Sequence, residues 1–595
     1  MTRRRLITVV AALAVALVLA LVFRGAFAPS AGDVLKLVPD SAWGVVVFNK
    51  PASLDAKFRS LVSEMKLPAV TPLATLKKQS GVQGGEDENG TAAVILLPPD
   101  RKGMPPTTIV LIPVIDYDGF VQPFHVGNTS KDPVSSARIG DASCCIRHIG
   151  HYAAITDGSH REVLSAEKLS IAKEIPPSLT PWREWLASKD AAGLILQPGI
   201  QGISAQVQGG VTMMKTVLTA QIVADALQSK DTEQAKMSIA ALDICSNAFQ
   251  AAEKGVTACG FAAKIDKQNV VRVTNRMTLV SGGVVSRVVS DMQPVRQNLL
   301  SDLPDEPFAA AGGAAIPEAA WMDLARGSIG LLKTLPNLGS LTKKQVDQLS
   351  GIVPESLGGI EAASILFGTG QGGKPPLSNT VAVIRVESSQ KFMENYEAFV
   401  RQYNDCIKDA KSPILQPVEI ESIQQNGAAA LQITTNVSIP QPPNTKDDPE
   451  RARRMERLFG PGGKLVAWVM PVDEHRVVIG YVDKEHVWSV VEAIRQGKAN
   501  LAANGAVAGL LPPDAAVAGC LSPSGVVECL QQMMSALLPP NAQNAPTLPP
   551  FPQTPPIRFA MTASPDALEN SLIVPVEFLQ AIAPYLEKVQ VARNR

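Results

Sequence analysis

The glycine-rich string G-T-G-Q-G-G-K-P, from Gly368 to Pro375, is the most suggestive chemical motif of the sequence. It contains the spacing of two phosphate-binding loops, in which backbone N–H groups at the start of a helix hold a phosphate. Here Pro375 and Pro376 follow the lysine, where such a loop needs Ser or Thr for magnesium and then a helix. The residues after the prolines read as a strand. The sequence therefore predicts a hairpin loop, and we expect no nucleotide and no other cofactor.

A dense run of thiols and imidazoles, C-C-I-R-H-I-G-H at residues 144–151, is the second candidate. Zinc prefers these ligand types, and a tight turn at Ile149-Gly150 would place His148 and His151 opposite each other on neighbouring strands. A structural zinc needs four ligands, whereas this hairpin supplies two, because strand side chains alternate and Cys145 would point away. We therefore predict no metal site and keep His148 and His151 as the candidate ligands.

The seven cysteines bear on the redox state of the chain. In an oxidising compartment some of them could pair, and the odd number leaves at least one thiol unpaired in a monomer. Cys245 and Cys259 are the candidate disulfide pair, because the chain between them reads as the end of a helix and the start of a strand. Burial of the cysteines as small, reduced, apolar side chains is the favoured alternative.

Two methionine pairs, Met213-Met214 and Met533-Met534, fall in predicted helices after similar strand segments. Methionine is adaptable and lines apolar grooves, but it also fills ordinary cores. These four residues are the candidate lining of an apolar groove for a ligand or peptide, with core packing as the alternative.

No residue of the chain is predicted to be catalytic. The sequence has six histidines and lacks the G-x-S-x-G pattern of a nucleophilic serine. A Ser-His-Asp site would have to be assembled from residues that no motif marks. A hydrolase with such an unmarked site stays open as an alternative.

Composition limits the classes of protein to consider. The 595 residues contain 55 Lys plus Arg and 55 Asp plus Glu, so the net charge is zero and no strong basic field for nucleic acid exists. Apolar residues make up 46% and charged residues 18%, which is typical of a folded chain rather than a disordered one. Aromatic residues make up 5%, so the core must consist mainly of Ala, Val, Leu and Ile.

The N-terminus carries an unbroken apolar run from Leu6 to Phe23, which follows Arg3–Arg5. As a helix this run of about 18 residues spans about 27 Å, close to the ~30 Å hydrocarbon core of a bilayer. The preceding arginines place the N-terminus in the cytoplasm and the body outside it. We predict an uncleaved membrane anchor and linker over residues 1–36. The alternative is a signal peptide cleaved near Ala28, which would release a secreted or periplasmic protein.

Internal repeats organise the remainder of the chain. One block has an Asp, small residues, an apolar strand and then a Pro that begins a helix-like pattern. It occurs at Pro39–Pro51, Lys189–Pro198, Pro304–Pro317 and Pro513–Pro523. Other strand blocks recur between these copies in the same order. The chain is therefore predicted to be a duplication, with a first α+β half at 37–302 and a second at 303–595.

The order of elements within each half predicts the fold class. We expect an α+β fold with largely antiparallel sheets, helices packed on one side and ferredoxin-like split βαβ elements, preceded by one N-terminal membrane helix. Two regions break the symmetry between the halves. Residues 440–464 are a charged insertion, predicted as a solvated helix or a mobile segment, and residues 538–556 are a Pro-rich linker.

With its recurring Pro-Asp strand–helix blocks, the chain resembles the uncharacterised, duplicated extracytoplasmic envelope proteins of bacteria. The resemblance rests on Pro, Asp, Gly and apolar positions over most of the chain, and it supplies no reaction. The predicted function is a non-catalytic, membrane-tethered binding or scaffolding protein outside the cytoplasm. A secreted hydrolase and a carrier of apolar ligands or peptides are the alternatives. The expected partners are the membrane, through Leu6–Phe23, and a protein or envelope polymer that the sequence does not identify.

Overall fold

The computed structural model describes residues 31–65, 72–101, 104–124, 126, 133–140, 142–227, 239, 242, 246, 250, 253–266, 269–292, 299–315, 317–318, 322, 342–356, 358–370, 373–376, 378–408, 416–425, 427–436, 450–507, 512, 515–538 and 548–593. The predicted membrane helix at Leu6–Phe23 lies outside these residues. Within them, no helix combines the length and the apolar character that a membrane crossing requires.

The chain divides into two compact α+β units. The first unit comprises Met1–Met213 and Ser246–Gly283, and the second comprises Met214–Cys245 and Val284–Arg595.

The described strands of the first unit form an antiparallel sheet. They are β1 (Gly44–Asn49), β2 (Thr91–Leu97), β3 (Thr107–Pro113), β4 (Val134–Ile139), β5 (Ala142–Ile149), β6 (Tyr152–Asp157), β7 (Ala191–Leu196), β8 (Val256–Ile265) and β9 (Val271–Leu279). Across the sheet the order is β4-β5-β6-β3-β2-β1-β7-β8-β9. The first repeated block therefore lies at the middle of the sheet.

Helices of the first unit precede β1 or lie between these strands. They are α1 (Ala31–Leu35), α2 (Pro51–Glu64), α3 (Pro72–Ser80), α4 (Tyr117–Val121), α5 (Arg183–Ala187) and α6 (Gln197–Leu227), the last of which crosses the boundary at residues 213 and 214. Short 3-10 helices occur at Gln122–Phe124, Gly158–Leu164 and Thr180–Trp182. Pro51 starts α2, as the repeated strand–Pro pattern predicts.

Both faces of this sheet are covered, so the prediction of helices on one side is wrong. Val47 and Leu111 pack into a core that Trp185 of α5 closes. Ile112, the neighbour of Leu111 in β3, packs into a second core with Phe120 of α4. Successive strand residues point to opposite faces, and here both positions are apolar, which requires a cover on each side.

The predicted ferredoxin-like split βαβ element is also wrong. In that element two parallel strands are separated by a third. Here β1 pairs directly with β2 and runs antiparallel to it, from Gly44 opposite Leu96 to Asn49 opposite Thr91. Two successive helices, α2 and α3, lie between these strands and return the chain to the end of the sheet at which it left β1.

The second unit repeats the same strand order. Its strands are β10 (Phe308–Ala314), β11 (Ile360–Gly368), β12 (Val381–Val386), β13 (Val418–Gln425), β14 (Ala428–Thr435), β15 (Leu465–Pro471), β16 (Arg476–Tyr481), β17 (Ala515–Leu521), β18 (Ile557–Ser564) and β19 (Ala567–Val574). Their antiparallel order is β13-β14-β15-β16-β12-β11-β10-β17-β18-β19. As the repeated blocks predict, β1 corresponds to β10 and β7 to β17. Strand β13 has no counterpart among the described strands of the first unit.

Helices cover both faces of the second sheet as well. They are α7 (Val284–Asp291), α8 (Lys343–Ser356), α9 (Ser389–Ile407), α10 (Glu450–Phe459), α11 (Lys484–Arg495), α12 (Pro523–Leu537) and α13 (Val576–Arg593), with 3-10 helices at Pro461–Gly463 and Leu501–Ala503. Val477 of β16 packs with Phe392 of α9, whereas its neighbour Val478 packs with Val487 of α11. Helices α9 and α11 therefore lie on opposite sides of the sheet.

The charged insertion is a docked helix where it is described, so the prediction of a solvated helix is wrong. In α10, Met455 and Leu458 are buried on one side, and Arg457 Nε donates to the carbonyl oxygen of Ala536 at 3.2 Å. The charged residues cover the opposite side of an amphipathic helix. The end of the Pro-rich segment is packed too, since the Phe551 ring lies 4.8 Å from the ring of Tyr585.

Candidate functional site

The glycine-rich string lies in the loop between β11 and β12, which pair antiparallel, so the predicted hairpin is confirmed. Gly370 N–H donates to Gln532 Oε1 at 3.0 Å, and Gln532 Nε2 donates to Gly370 O at 2.9 Å. A Cβ at Gly368 would lie 2.2 Å from the carbonyl oxygen of Asn379. These glycines allow close backbone packing within the loop, and β12 rather than a helix follows them.

The hairpin turn beside the two candidate histidines lies one residue later than predicted. Ile149 pairs with Tyr152, so Gly150 and His151 form the turn. Gly150 adopts a left-handed φ of 60°, which glycine permits at no steric cost.

This shift separates the candidate metal ligands, and the predicted His148–His151 pair is wrong. His148 lies opposite Ala153, while His151 is at the turn. The ring of His148 stacks on Tyr117, with 4.3 Å between the ring centroids. Within the described part of the chain, no group of three or more His, Cys, Asp or Glu residues is arranged to hold a metal ion.

The cysteines of the described residues behave as small apolar side chains. Cys144, Cys145, Cys406 and Cys520 are buried. Burial raises the pKa of Cys520 to about 12, so this thiol is a poor nucleophile at neutral pH. Cys259 lies half-buried in β8 and accepts a hydrogen bond from Asn275 Nδ2 at 3.3 Å. Cys245 lies outside the described residues, so its disulfide with Cys259 stays a prediction.

The methionine pairs lie on helices and contribute little to the cores. Met213 is 72% exposed and Met214 is 55% exposed on α6, and Met533 is exposed on α12, where Met534 is half-buried. The core-packing alternative is therefore wrong for Met213, Met214 and Met533. None of the four lines the groove described below, and a second, apolar groove at these residues stays a prediction.

The structure brings together three residues of hydrolase type that the sequence motifs did not mark. Ser159 Oγ lies 3.1 Å from His160 Nδ1, and His160 Nε2 lies 3.0 Å from Asp100 Oδ2. These are the residue types of a Ser-His-Asp site. Adjacent Ser and His in D-G-S-H were visible in the sequence, but their approach to Asp100 depends on the β2–β3 loop.

Other hydrogen bonds make this cluster a turn cap. Ser159 Oγ donates to Asp157 Oδ1 at 2.5 Å, and Ser159 N–H donates to the same oxygen at 2.9 Å. These bonds lower the pKa of Asp157. Because the hydroxyl proton already goes to Asp157, His160 does not receive it as a general base would. Asp100 and Asp157 are 60% and 65% exposed, so water screens their charges.

A groove of about 440 Å³ lies between α9 and the sheet of the second unit. Ser389, Met393 and Glu397 line it from the helix, at the four-residue spacing that puts side chains on one face. The sheet contributes Ser422 of β13 and Ala429 of β14. The space exists because these two sheet residues are small, while larger residues fill the rest of the interface with α9.

The groove combines apolar walls with carboxylates. Met393 and Leu431 are apolar lining residues, while Glu394 and Glu397 supply negative charge, and the lining contains no Lys, Arg or His. Gln390 Nε2 donates to Glu394 Oε1 at 3.0 Å. The arrangement suits a ligand that has an aliphatic part and a positive charge.

The start of α9 adds a hydroxyl to this lining. Ser388 caps the helix by accepting a hydrogen bond from Lys391 N–H. The next residue, Ser389, is only 8% exposed and lines the groove. Its hydroxyl can donate a hydrogen bond to a ligand in the groove and accept one from it.

Comparison of the chain with family models, with curated proteins and with solved structures gives no match.

Proposed function

We propose that this chain is a non-catalytic binding or scaffolding protein, tethered to the cytoplasmic membrane by Leu6–Phe23, with its body outside the cytoplasm. The observation that carries the proposal is the groove beside α9, whose lining offers two serines and two glutamates but no histidine, cysteine or lysine. Such a lining can bind a ligand, but it lacks the paired nucleophile and base of most hydrolases.

The comparison between the units supports an internal duplication in which binding developed in one unit. Both sheets have the same strand order apart from β13. The groove lies beside this additional strand, through Ser422. The described strand framework is therefore common to both units, while Ser422 of the groove lies on a strand that has no counterpart among the described strands of the first unit.

A secreted hydrolase is the second candidate function. It is favoured by the approach of Ser159, His160 and Asp100. Its weakness is the exposed position of the cluster and the use of the serine proton by Asp157.

The first experiment tests topology with the full-length chain in a Gram-negative host. Protease added to intact spheroplasts should digest the body, because the arginines before Leu6–Phe23 direct it outside the cytoplasm. A body that is protected until the membrane is broken contradicts the proposed location. In the same cells, a photo-crosslinking residue at Gln390, on the groove, should give a specific adduct, whereas the same residue at Gln402 of α9, off the groove, should not.

A second experiment separates binding from hydrolysis. Fluorophosphonate probes label activated serines, so full-length protein should stay unlabelled at Ser159. Labelling that disappears with Ser159→Ala and with His160→Ala would favour the hydrolase instead.

A further inference from the structure

We infer that the outer edge of β13 and the adjacent groove form one binding site for an extended, lysine- or arginine-rich peptide segment, which adds to the sheet as a further strand. This inference rests on the proposed binding function and names the chemistry of the partner.

The first observation is a sheet edge that has no neighbouring strand among the described residues. Among the described strands, β13 pairs with β14 alone. At its start, Val418 N–H donates to Asn404 Oδ1 at 2.8 Å, and Asn404 Nδ2 donates to Val418 O at 2.7 Å. The Asn404 side chain thus takes the position that a neighbouring strand would have.

Beyond Val418 this protection ends. Backbone groups of an antiparallel strand alternate in direction, so those of Ile420, Ser422 and Gln424 point the same way as those of Val418. Within the described part of the chain, these three residues have no hydrogen-bond partner on that side. Proteins normally cover such an edge, and an extended peptide can pair with it by strand addition.

The second observation is the position of the groove relative to this edge. Ser422 belongs both to the open edge and to the groove lining. A strand added beside β13 presents every second side chain to the same face as Ser422. Those side chains meet the apolar Met393 and the carboxylates of Glu394 and Glu397, which suits the aliphatic stem and the terminal charge of lysine or arginine.

The carboxylates are available to such a partner. Glu397 pairs with Arg401 at 2.5 Å, but the arginine side chain is 71% exposed, and exposed pairs contribute little. A lysine or arginine side chain of a bound peptide would therefore displace Arg401 from Glu397 at little cost in free energy. Ser389, at the groove lining, supplies a further polar group.

Charge on the opposite face of the edge points to the same partner. Glu419 and Glu421 alternate with Ile420 and Ser422, so they face away from the groove. Glu419 pairs with Lys464 at 3.2 Å, whereas Glu421 has no ion pair among the described residues. An added strand thus has acidic groups on both of its faces, which selects a basic segment.

A second copy of this chain is a poor occupant. Pairing of β13 with β13 adds Glu419 and Glu421 of a second chain to an edge that already has acidic groups on both faces. Like charges at facing strand positions destabilise the pairing. The site therefore takes a segment of a different protein.

The test uses full-length protein in uncharged detergent, so that anionic lipid does not bind the probe. A fluorescein-labelled peptide of eight residues that alternates lysine and valine should bind saturably, and a glutamate–valine peptide should not. Affinity should fall with added salt, because charges contribute. The double variant Glu394→Gln, Glu397→Gln should weaken binding at least tenfold.

The matched control, Asp405→Asn with Glu577→Gln, removes the same charge at exposed positions off the groove and should leave affinity unchanged. Thermal unfolding of both variants checks that the fold is intact. Equal loss in both double variants would show non-specific attraction and would overturn the site.

N-methylated peptides test the strand pairing itself. Only alternate N–H groups of an added strand face β13. One peptide methylated at its lysines and another at its valines should therefore differ by at least tenfold in affinity, with loss at the lysines indicating antiparallel pairing. Equal affinities would overturn strand addition. If the lysine–valine peptide does not bind while the crosslinker at Gln390 still gives an adduct in cells, this inference fails and the proposed function stands. If neither is seen, both fail.

Discussion

Pro113 of β3 pairs with Tyr152 of β6 in the first unit, whereas Arg385 of β12 pairs with Arg476 of β16 at the corresponding place in the second. In the first unit both residues can be buried without a charged partner. In the second unit the two cations require one. The strand order is the same around both pairs, so this framework tolerates either apolar or ionic chemistry at one position.

The backbone shows that these positions correspond. Val114 N–H donates to the carbonyl oxygen of His151 at 2.7 Å, and Val386 N–H donates to that of His475 at 2.9 Å. Val114 directly follows Pro113, and Val386 directly follows Arg385, so each hydrogen bond lies next to one of the two residue pairs. The two histidines are thus equivalent through their backbone.

Asp302 is the partner that the two arginines share. Arg385 Nη2 donates to its Oδ2 at 2.6 Å, and Arg476 Nη1 donates to its Oδ1 at 2.9 Å. The segment Val38-Pro39-Asp40 of the first unit matches Leu303-Pro304-Asp305 of the second, so Leu37 is the residue that corresponds to Asp302. There the hydroxyl of Tyr152 has no hydrogen-bond partner among the described residues. The first unit has the same strand order without these ions, so the strand order does not depend on the ionic cluster.

The change Asp302→Leu, which copies the first unit, should have the largest effect. It leaves the half-buried Arg385 without its counter-ion and leaves Arg476 with Asp473 alone, and breaking a buried pair in this way costs about 3 kcal/mol. Hydrogen exchange of the β12 and β16 amides would measure the loss. Adding Arg385→Leu and Arg476→Tyr should restore most of the stability. A single change without effect would show that the cluster is solvated.

Gly480→Ala should have the next largest effect. A Cβ at Gly480 would lie 2.2 Å from Val487 Cγ2, where α11 packs on β16, and overpacking of this kind costs about 2 kcal/mol. In the first unit the corresponding residue is Thr156, whose Oγ1 donates to Thr108 O at 2.8 Å. Urea unfolding of the second unit should show the loss, and Val487→Ala in the same chain should reduce it. Full stability of Gly480→Ala would mean that α11 can move away without cost.

The sequence predicted the repeated part of this architecture better than the part that differs. The strand blocks Trp43–Asn49 and Phe308–Ala315 were paired from their Asp, small and Pro residues, and they occupy corresponding places. Strand β13 has no counterpart among the described strands of the first unit, so no repeat of the sequence reveals it. The groove depends on how α9 crosses the sheet over small residues such as Ser422, which no local pattern encodes.

Long-range contacts set a second limit on prediction. Asp302 meets Arg385 and Arg476 across 83 and 174 positions of the chain, so sequence spacing alone could not connect them. The histidine pair failed for a local reason, since a turn one residue later than expected changes which side chains face each other. Both failures concern side-chain placement on a correctly predicted hairpin or strand.

Helix capping gives a smaller difference between the units. Asp483 accepts from Glu485 N–H at 3.1 Å and from His486 N–H at 3.2 Å at the start of α11, and Asp483→Ala should cost about 1 kcal/mol. The corresponding Asp157 caps only a 3-10 turn, so Asp157→Ala should cost a few tenths of a kcal/mol by the same reasoning. Hydrogen exchange within each segment measures both. Equal costs would show that the length of the capped helix does not matter.

The smallest expected effects concern the pH dependence of stability. They have opposite signs in the two units. Burial raises the pKa of Asp473, but hydrogen bonds from Arg476 and from His475 N–H outweigh it, so the net pKa is lowered. A lowered pKa in the folded state contributes stability at neutral pH that is lost as pH falls through the folded-state value. Since Asp473 is 42% exposed, water screens its charge and the effect should be small.

In the first unit, burial raises the pKa of Tyr152. The folded state then holds the phenol proton more tightly than the unfolded chain does, so the contribution is complete below about pH 10 and is lost as pH rises. After correction for intrinsic rates, exchange at β16 should therefore speed up in acid and exchange at β6 in alkali. Asp473→Asn should remove the first dependence and Tyr152→Phe the second. If β6 loses protection in acid as readily as β16 does, the sensitivity arises outside these paired positions, and the chemical difference between the two units at this place has no thermodynamic consequence.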